Sequence, residues 1–125
     1  MLYILEAWIP YQEGATNRFG SGAYPEDADY FRWAGADASV DPWVDDDALT
    51  HNLTDLGNDT PQYAIVAFEG TGTAHVRYGL EAPTATNGIP YAAGSQLLVK
   101  SPDMLRLLKA YLPTGLSMHI SPFRG

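Results

Sequence analysis

The chain has no cysteine, which excludes disulfide bonds and thiolate metal ligation and leaves its redox compartment open. Basic residues are scarce: seven Lys and Arg stand against fifteen Asp and Glu, a net charge of −8. Binding to nucleic acid draws on Lys and Arg to neutralise phosphates, so this balance argues against such a partner. Long apolar runs are missing too. The opening MLYILEAWIPYQEG has no basic residue ahead of its apolar part, carries Glu6 and stops at Pro10. A signal peptide or membrane span needs a longer run or different flanks, and neither is expected. Without a secretion signal, the sequons Asn52-Leu53-Thr54 and Asn58-Asp59-Thr60 read as chance.

What is present is a 125-residue chain with 46% hydrophobic residues, the composition of one globular domain with a core of its own. Its charge is unevenly spread. Residues 1–61 carry twelve acidic and two basic groups (net −10), residues 62–125 three acidic and five basic groups (net +2). The structural pattern changes at the same place. This predicts an N-terminal strand followed by an acidic, aromatic-rich arm or long loop over 1–61, and a compact β-domain over 62–125.

In the first part, Leu2–Ile9 (LYILEAWI) reads as a strand, apolar at nearly every position and so covered on both faces. From 11 to 61 no period of 2 or 3.6 persists. Pro25-Glu26-Asp27-Ala28-Asp29 and Asp45-Asp46-Asp47-Ala48-Leu49 each suit the opening of a short helix. Tyr11, Phe19, Tyr24, Tyr30, Phe31, Trp33 and Trp43 are too many aromatics for a disordered linker. The stretch therefore reads as an arm or loop packed on its own domain or on a neighbour.

In the second part, Gln62–Glu69 (QYAIVAFE) and Thr73–Leu80 (TAHVRYGL) read as the two strands of a hairpin turning at Gly70-Thr71-Gly72. Ile89–Tyr91 is a short extended piece, placed at a sheet edge because Pro90 offers no ladder hydrogen bond. The segment RYGLEAPTATNGIPYAAG, Arg77 to Gly94, holds only the charges Arg77 and Glu81 and reads as backbone shape, steering the chain from one sheet to another. Gly79 marks a bulge or a close backbone approach. Ser95–Lys100 is a strand. Ser101-Pro102-Asp103 is a strong helix start, with Met104, Leu105, Leu108, Tyr111 and Leu112 on one face of a helix over about 102–112. Leu116–Ser121 alternates as a closing strand. The fold class is mainly β: a small antiparallel sandwich or barrel with one short helix and a long irregular N-terminal region.

Chemistry is thinly represented. His51, His75 and His119 lack the HxH or HExxH spacing that fixes two ligands on one face, although His75 and His119 fall on strands that could be neighbours. Asp41-Pro42-Trp43-Val44-Asp45-Asp46-Asp47 lacks the alternation, glycine and distal glutamate of an EF-hand loop. Carboxylate pairs such as Glu26 with Asp29 are available to a hydrolase, but no nucleophile elbow is present. No catalytic, cofactor or metal residue is expected. Aromatic side chains suit a docking surface or, through Trp33 and Trp43, a sugar-stacking face.

Five pieces occur in order: Arg77-Tyr78-Gly79-Leu80, Ala82-Pro83-Thr84-Ala85, Gly88-Ile89-Pro90, Ala92-Ala93-Gly94 and Leu97-Leu98-Val99. With a helix at Asp103–Leu112 and a closing strand at Leu116–Ser121, this order resembles small β-rich accessory proteins of tailed-phage virions. The resemblance covers under half of the chain. It implies a non-enzymatic structural protein, most simply a decoration (cement) protein on the outer surface of the head. Such a protein is made in the host cytoplasm and binds the major capsid protein and sister copies, commonly as a trimer. On that reading the interface residues are the seven aromatics of the arm together with Tyr3, Trp8, Arg77 and Tyr78. The alternatives are a carbohydrate- or host-surface-binding module of a fibre or tail, and a carboxylate-dependent hydrolase.

Overall fold

A computed structural model describes residues 30–56 and 61–123. The expected strand Leu2–Ile9, the expected helix start at 25–29 and the sequon at Asn58 lie outside the described residues. Among the described residues eight strands are present: β1 (Phe31–Ala34), β2 (Ala38–Val40), β3 (Tyr63–Gly70), β4 (Thr73–Tyr78), β5 (Ile89–Ala92), β6 (Gln96–Val99), β7 (Leu108–Leu112) and β8 (Leu116–Phe123). A turn of 3-10 helix covers Leu53–Leu56, and a short helix α1 covers Pro102–Leu107. No helix among the described residues is long and apolar enough to cross a membrane.

The strands form two four-stranded antiparallel sheets, β1-β8-β3-β6 (sheet 1) and β2-β7-β4-β5 (sheet 2). Alternation builds the core between them. In β8 the residues Leu116, Met118 and Ile120 point inward and are fully buried, as do Ala64, Val66 and Phe68 of β3. From sheet 2 come Ala74, Val76, Leu108, Ala110 and Leu112. Each large side chain among them contributes about 1.5–3 kcal/mol of burial before entropy is counted. The mainly-β sandwich expected from the sequence is the architecture observed.

Consecutive strands mostly belong to opposite sheets, and this changes three sequence readings. β3 and β4 do not pair with each other, so Gly70-Thr71-Gly72 is a corner between sheets and not a hairpin turn. The Arg77–Gly94 segment stays within sheet 2 from β4 to β5; the crossing to sheet 1 is made at Ala93–Ser95. His75 on β4 and His119 on β8 are therefore in different sheets and cannot share a ligand as strand neighbours.

The corners gather at one end of the sandwich. Thr71 N–H donates to Gly115 O at 3.0 Å and Gly35 N–H to Leu116 O at 2.7 Å. A Cβ on Gly35 would stand 1.9 Å from the Pro113 carbonyl oxygen, so only glycine fits between the β1–β2 and β7–β8 corners. The opposite end carries α1, the 79–88 loop and the loop following β2, and is closed from within by the fully buried Leu53 and Leu105.

The helix starts as its sequence dictates. Ser101 caps it, its Oγ accepting from Met104 N–H at 3.4 Å, and Pro102 opens it. It ends at Leu107, five residues earlier than expected. Leu108 and Leu112 are four apart, a spacing shared by a helix face and a strand face. Between two strands that need pairing partners, the strand prevails: β7 lies in the centre of sheet 2, bonded to β2 and β4. Tyr111 consequently faces outward with Lys109, while Ala110 faces the core.

The described part of the expected arm is folded into the sandwich. β1 pairs with β8 and β2 with β7, so the β-domain begins well before residue 62. Asp45–Leu49 does not open a helix. The Asp47 carboxylate takes the backbone N–H groups of Leu49 and His51, at 2.9 and 3.0 Å, and bends the chain into turns.

Candidate docking surface

Four large apolar side chains stand in solvent at the α1 end of sheet 2: Leu80 (97% exposed), Ile89 (51%), Met104 (40%) and Leu107 (40%). Topology places them together. β4 ends there, while β5 begins at Ile89 and β7 begins directly after α1. The Gly79 N–H donates to Leu107 O at 3.1 Å, which ties the loop bearing Leu80 to the last turn of α1.

The display is held by its framework. Gly79 has φ +142°, a conformation that costs an L side chain strain, and nothing lies within 4 Å of where its Cβ would be. Of the two expected causes, a bulge or a close backbone approach, the second does not hold, and the positive φ accounts for the glycine. Lys109 Nζ donates to Gly79 O, Thr84 and Asn87 exchange backbone bonds at 3.1 and 3.3 Å, and Pro83 is buried. Arg77 pairs with Glu81 at 3.0 Å on either side of Leu80. Beside them Val76, Arg77, Tyr78, Asn87, Gly88 and Ile89 line an open depression. Burial, with the neighbouring Tyr91 adding to it, pushes the Tyr78 hydroxyl above its ordinary pKa.

Trp43 braces the helix from the other side. Its Nε1–H donates to Leu105 O at 2.9 Å, and the Arg106 guanidinium lies 4.7 Å from the ring centroid. Of the other expected interface residues, Tyr30 is 39% exposed and its hydroxyl meets His119 Nδ1 at 2.5 Å. Arg77 and Tyr78 belong to the surface just described. Phe31 and Trp33 correct the expectation: they are 0% and 3% exposed, in the core of their own sandwich, and contribute to cohesion instead of docking. Trp33 also offers no ring face to a sugar; its Nε1–H is taken by Asp45 O at 3.0 Å. Tyr3, Trp8, Tyr11, Phe19 and Tyr24 lie outside the described residues, as do Glu26 and Asp29.

The acidic loop works as backbone scaffolding. Asp41 accepts from Trp43 N–H at 3.0 Å, Asp45 from Asp41 N–H at 2.8 Å and Asp55 from Asn52 N–H at 3.0 Å. Asp47 Oδ2 accepts from Arg32 N–H at 2.8 Å, while Oδ1 meets His51 Nδ1 at 2.8 Å. Its side chain has no solvent exposure. Burial alone raises the Asp47 pKa, but the hydrogen bonds from Arg32, His51 and Leu49 outweigh it and hold the carboxyl below its ordinary value. Among the described residues no group of three or more His, Asp and Glu is placed to hold a metal ion.

Sequence reasoning missed Leu80, Ile89, Met104 and Leu107. One signal is present: Leu80 follows a strand-ending Gly and precedes Glu81, a position where an apolar side chain has no strand face to occupy. Comparison with protein-family models, with curated proteins and with solved structures finds no match.

Proposed function

We propose that this chain is a non-enzymatic structural protein of a virus particle that acts by docking, most simply as a decoration protein on the outer head of a tailed phage. The supporting observation is the apolar end of sheet 2, with Leu80 97% exposed on a loop whose backbone is fixed from both sides. An apolar side chain held in water on a rigid support is pre-organised for burial against a partner. The flanking Arg77 and Glu81 supply a polar rim. Net charge −8 opposes contact with packaged DNA and favours the outside of a shell, against the major capsid protein. Copies grouped around a local threefold axis multiply a contact of this modest size into firm attachment.

The test is binding to particles stripped of the protein, with Leu80→Asp and Ile89→Asp combined in one variant. Both side chains are exposed, so circular dichroism and melting stay as in the parent. Occupancy on particles, read by co-sedimentation, falls at least about tenfold, the effect of losing about 1.4 kcal/mol of binding. Undiminished occupancy at equal fold stability removes this surface from the proposal; a parent that binds no shell removes the virion role.

A further inference from the structure

Two open sheets leave four edge strands, here β1, β6, β2 and β5. An edge presents unpaired backbone groups and is a template for further pairing unless it is guarded. Three of the four are guarded. Along β1, Asp47 Oδ2 accepts from the Arg32 N–H and the Ala48 N–H donates to the Arg32 carbonyl, both at 2.8 Å. β5 carries Pro90, which has no N–H to offer. β2 is three residues long and runs into a turn in which Asp45 accepts the Asp41 N–H.

β6 differs. The Phe68 N–H donates to Ser95 O at 3.0 Å, which fixes the phase of the ladder with β3, so Leu97 and Val99 bond to β3. The backbone groups of Gln96 and Leu98, and of Lys100 just past the strand end, then point away from the sheet. Among the described residues none pairs with them. The side chains alternate along this edge. Val99, 3% exposed, and the half-buried Leu97 pack on the core side. Gln96, Leu98 and Lys100 share the outer face, the two polar residues exposed and Leu98 between them half-buried. Read from either direction, the outer face runs polar, apolar, polar.

We infer that β6 pairs antiparallel with β6 of a second copy of this chain, about a two-fold axis through Leu98, so that two copies of sheet 1 become one continuous sheet. The register follows from the edge itself. Centred on Leu98, the pairing sets Leu98 opposite its equivalent and Gln96 of each copy opposite Lys100 of the other. These are the residues whose backbone groups face outward, and directly opposite residues of this kind exchange both bonds. On the core side Leu97 meets Val99, so polar opposes polar and apolar opposes apolar. A slide of two residues sets Leu98 against Gln96 or Lys100. A slide of one sets outward groups against groups already bonded to β3. The two lysines stand about 13 Å apart along the strands and do not oppose the contact. The edge is self-complementary, as a two-fold interface requires, but short, so pairing in solution is weak and depends on concentration. The inference is independent of the docking reading, since the β6 edge belongs to sheet 1 and the exposed apolar end to sheet 2.

Because the chain has no cysteine, introduced thiols read the register directly. Gln96→Cys and Lys100→Cys, both at exposed positions, are prepared separately in the full chain, then mixed and oxidised. In the inferred register the two sites face each other at about 5.5 Å between Cα atoms, within disulfide reach. Each site lies about 13 Å along the strands from its own equivalent, beyond that reach. The mixture therefore gives at least about tenfold more disulfide-linked dimer than either variant alone. Equal yields, or no linked dimer in the mixture, overturn the inference. Amide hydrogen exchange in the parent needs no substitution. Protection of the Leu98 N–H rises with protein concentration, while that of Val66 and Ile120, in the paired interior of the sheet, stays constant. Leu98→Lys, which sets like charges opposite each other across the axis, removes the concentration dependence at residue 98, and mixing it with Leu98→Glu restores it. Protection at Leu98 that is the same at every concentration, whether absent or complete, overturns the inference.

Discussion

Asp47 closes the outer edge of β1 by accepting the Arg32 backbone N–H, 2.8 Å from its Oδ2, while its other oxygen gathers the N–H groups of Leu49 and His51. One buried carboxylate thus substitutes for a neighbouring strand and shapes the following loop. Asp47→Ala leaves these donors without their acceptor and costs about 2–4 kcal/mol, measured by urea unfolding. It also bares the β1 edge, so the folded fraction of the variant self-associates at concentrations where the parent does not, read by analytical ultracentrifugation. A variant as stable as the parent would refute this account of the carboxylate.

The same group sets an acid limit. Its folded pKa lies below the unfolded value, so its contribution is complete above the ordinary aspartate range of about 3.9 and is lost as pH falls through the folded value. Urea midpoints therefore decline below about pH 4. Asp47→Asn, which has no charge to titrate, shows a shallower decline over the same window. Parallel curves for the two proteins would place the acid sensitivity elsewhere.

Gly35 is the tightest point between two corners. Gly35→Ala pushes a methyl group against Pro113 O, 1.9 Å away, and Leu116 O, 2.6 Å away, both backbone atoms. Separation of the β1–β2 and β7–β8 corners follows, at a cost of about 1–3 kcal/mol or more. Thermal unfolding reads it directly; an unchanged melting temperature would show that the corners part without loss.

Trp43 is predicted to matter through its nitrogen as well as its ring. Trp43→Phe keeps an aromatic face beside Arg106 but deprives Leu105 O of its donor, for a loss of about 1 kcal/mol. Trp43→Ala also removes the ring and costs more. Equal losses for both would mean that the hydrogen bond carries the whole effect.

These features differ in how far the sequence reveals them. β3 is legible as a short, nearly continuous apolar run rich in β-formers, and β8 through the alternation that begins at Leu116. The cap at Ser101-Pro102-Asp103 is equally plain, since it depends only on adjacent residues. β1 and β2, four and three residues long, are too short to establish a period, and their place is fixed by the distant β8 and β7. The separation of β3 from β4 is not readable, because alternation reports which face of a strand is buried and not which sheet it joins. Asp45, Asp46 and Asp47 are identical in type, and only the approach of β1 selects the third for burial. The exposed apolar end of sheet 2 is half visible: the Arg77–Gly94 segment is recognisable as shape, while the outward Leu80 becomes evident only once Gly79 is bonded to Leu107.

The direct passage from α1 into β7 at Leu107–Leu108 carries a consequence for how this chain can vary. With no loop residue to absorb slack, one amino acid inserted there reverses the facing of everything downstream in the strand. Lys109 and Tyr111 would be thrust inward and Leu108, Ala110 and Leu112 turned to water. Length is therefore locked at this seam. Between Glu81 and Asn87 the chain belongs to no strand and folds back on itself through the bridge of Thr84 with Asn87, so the polypeptide can lengthen there without altering any facing.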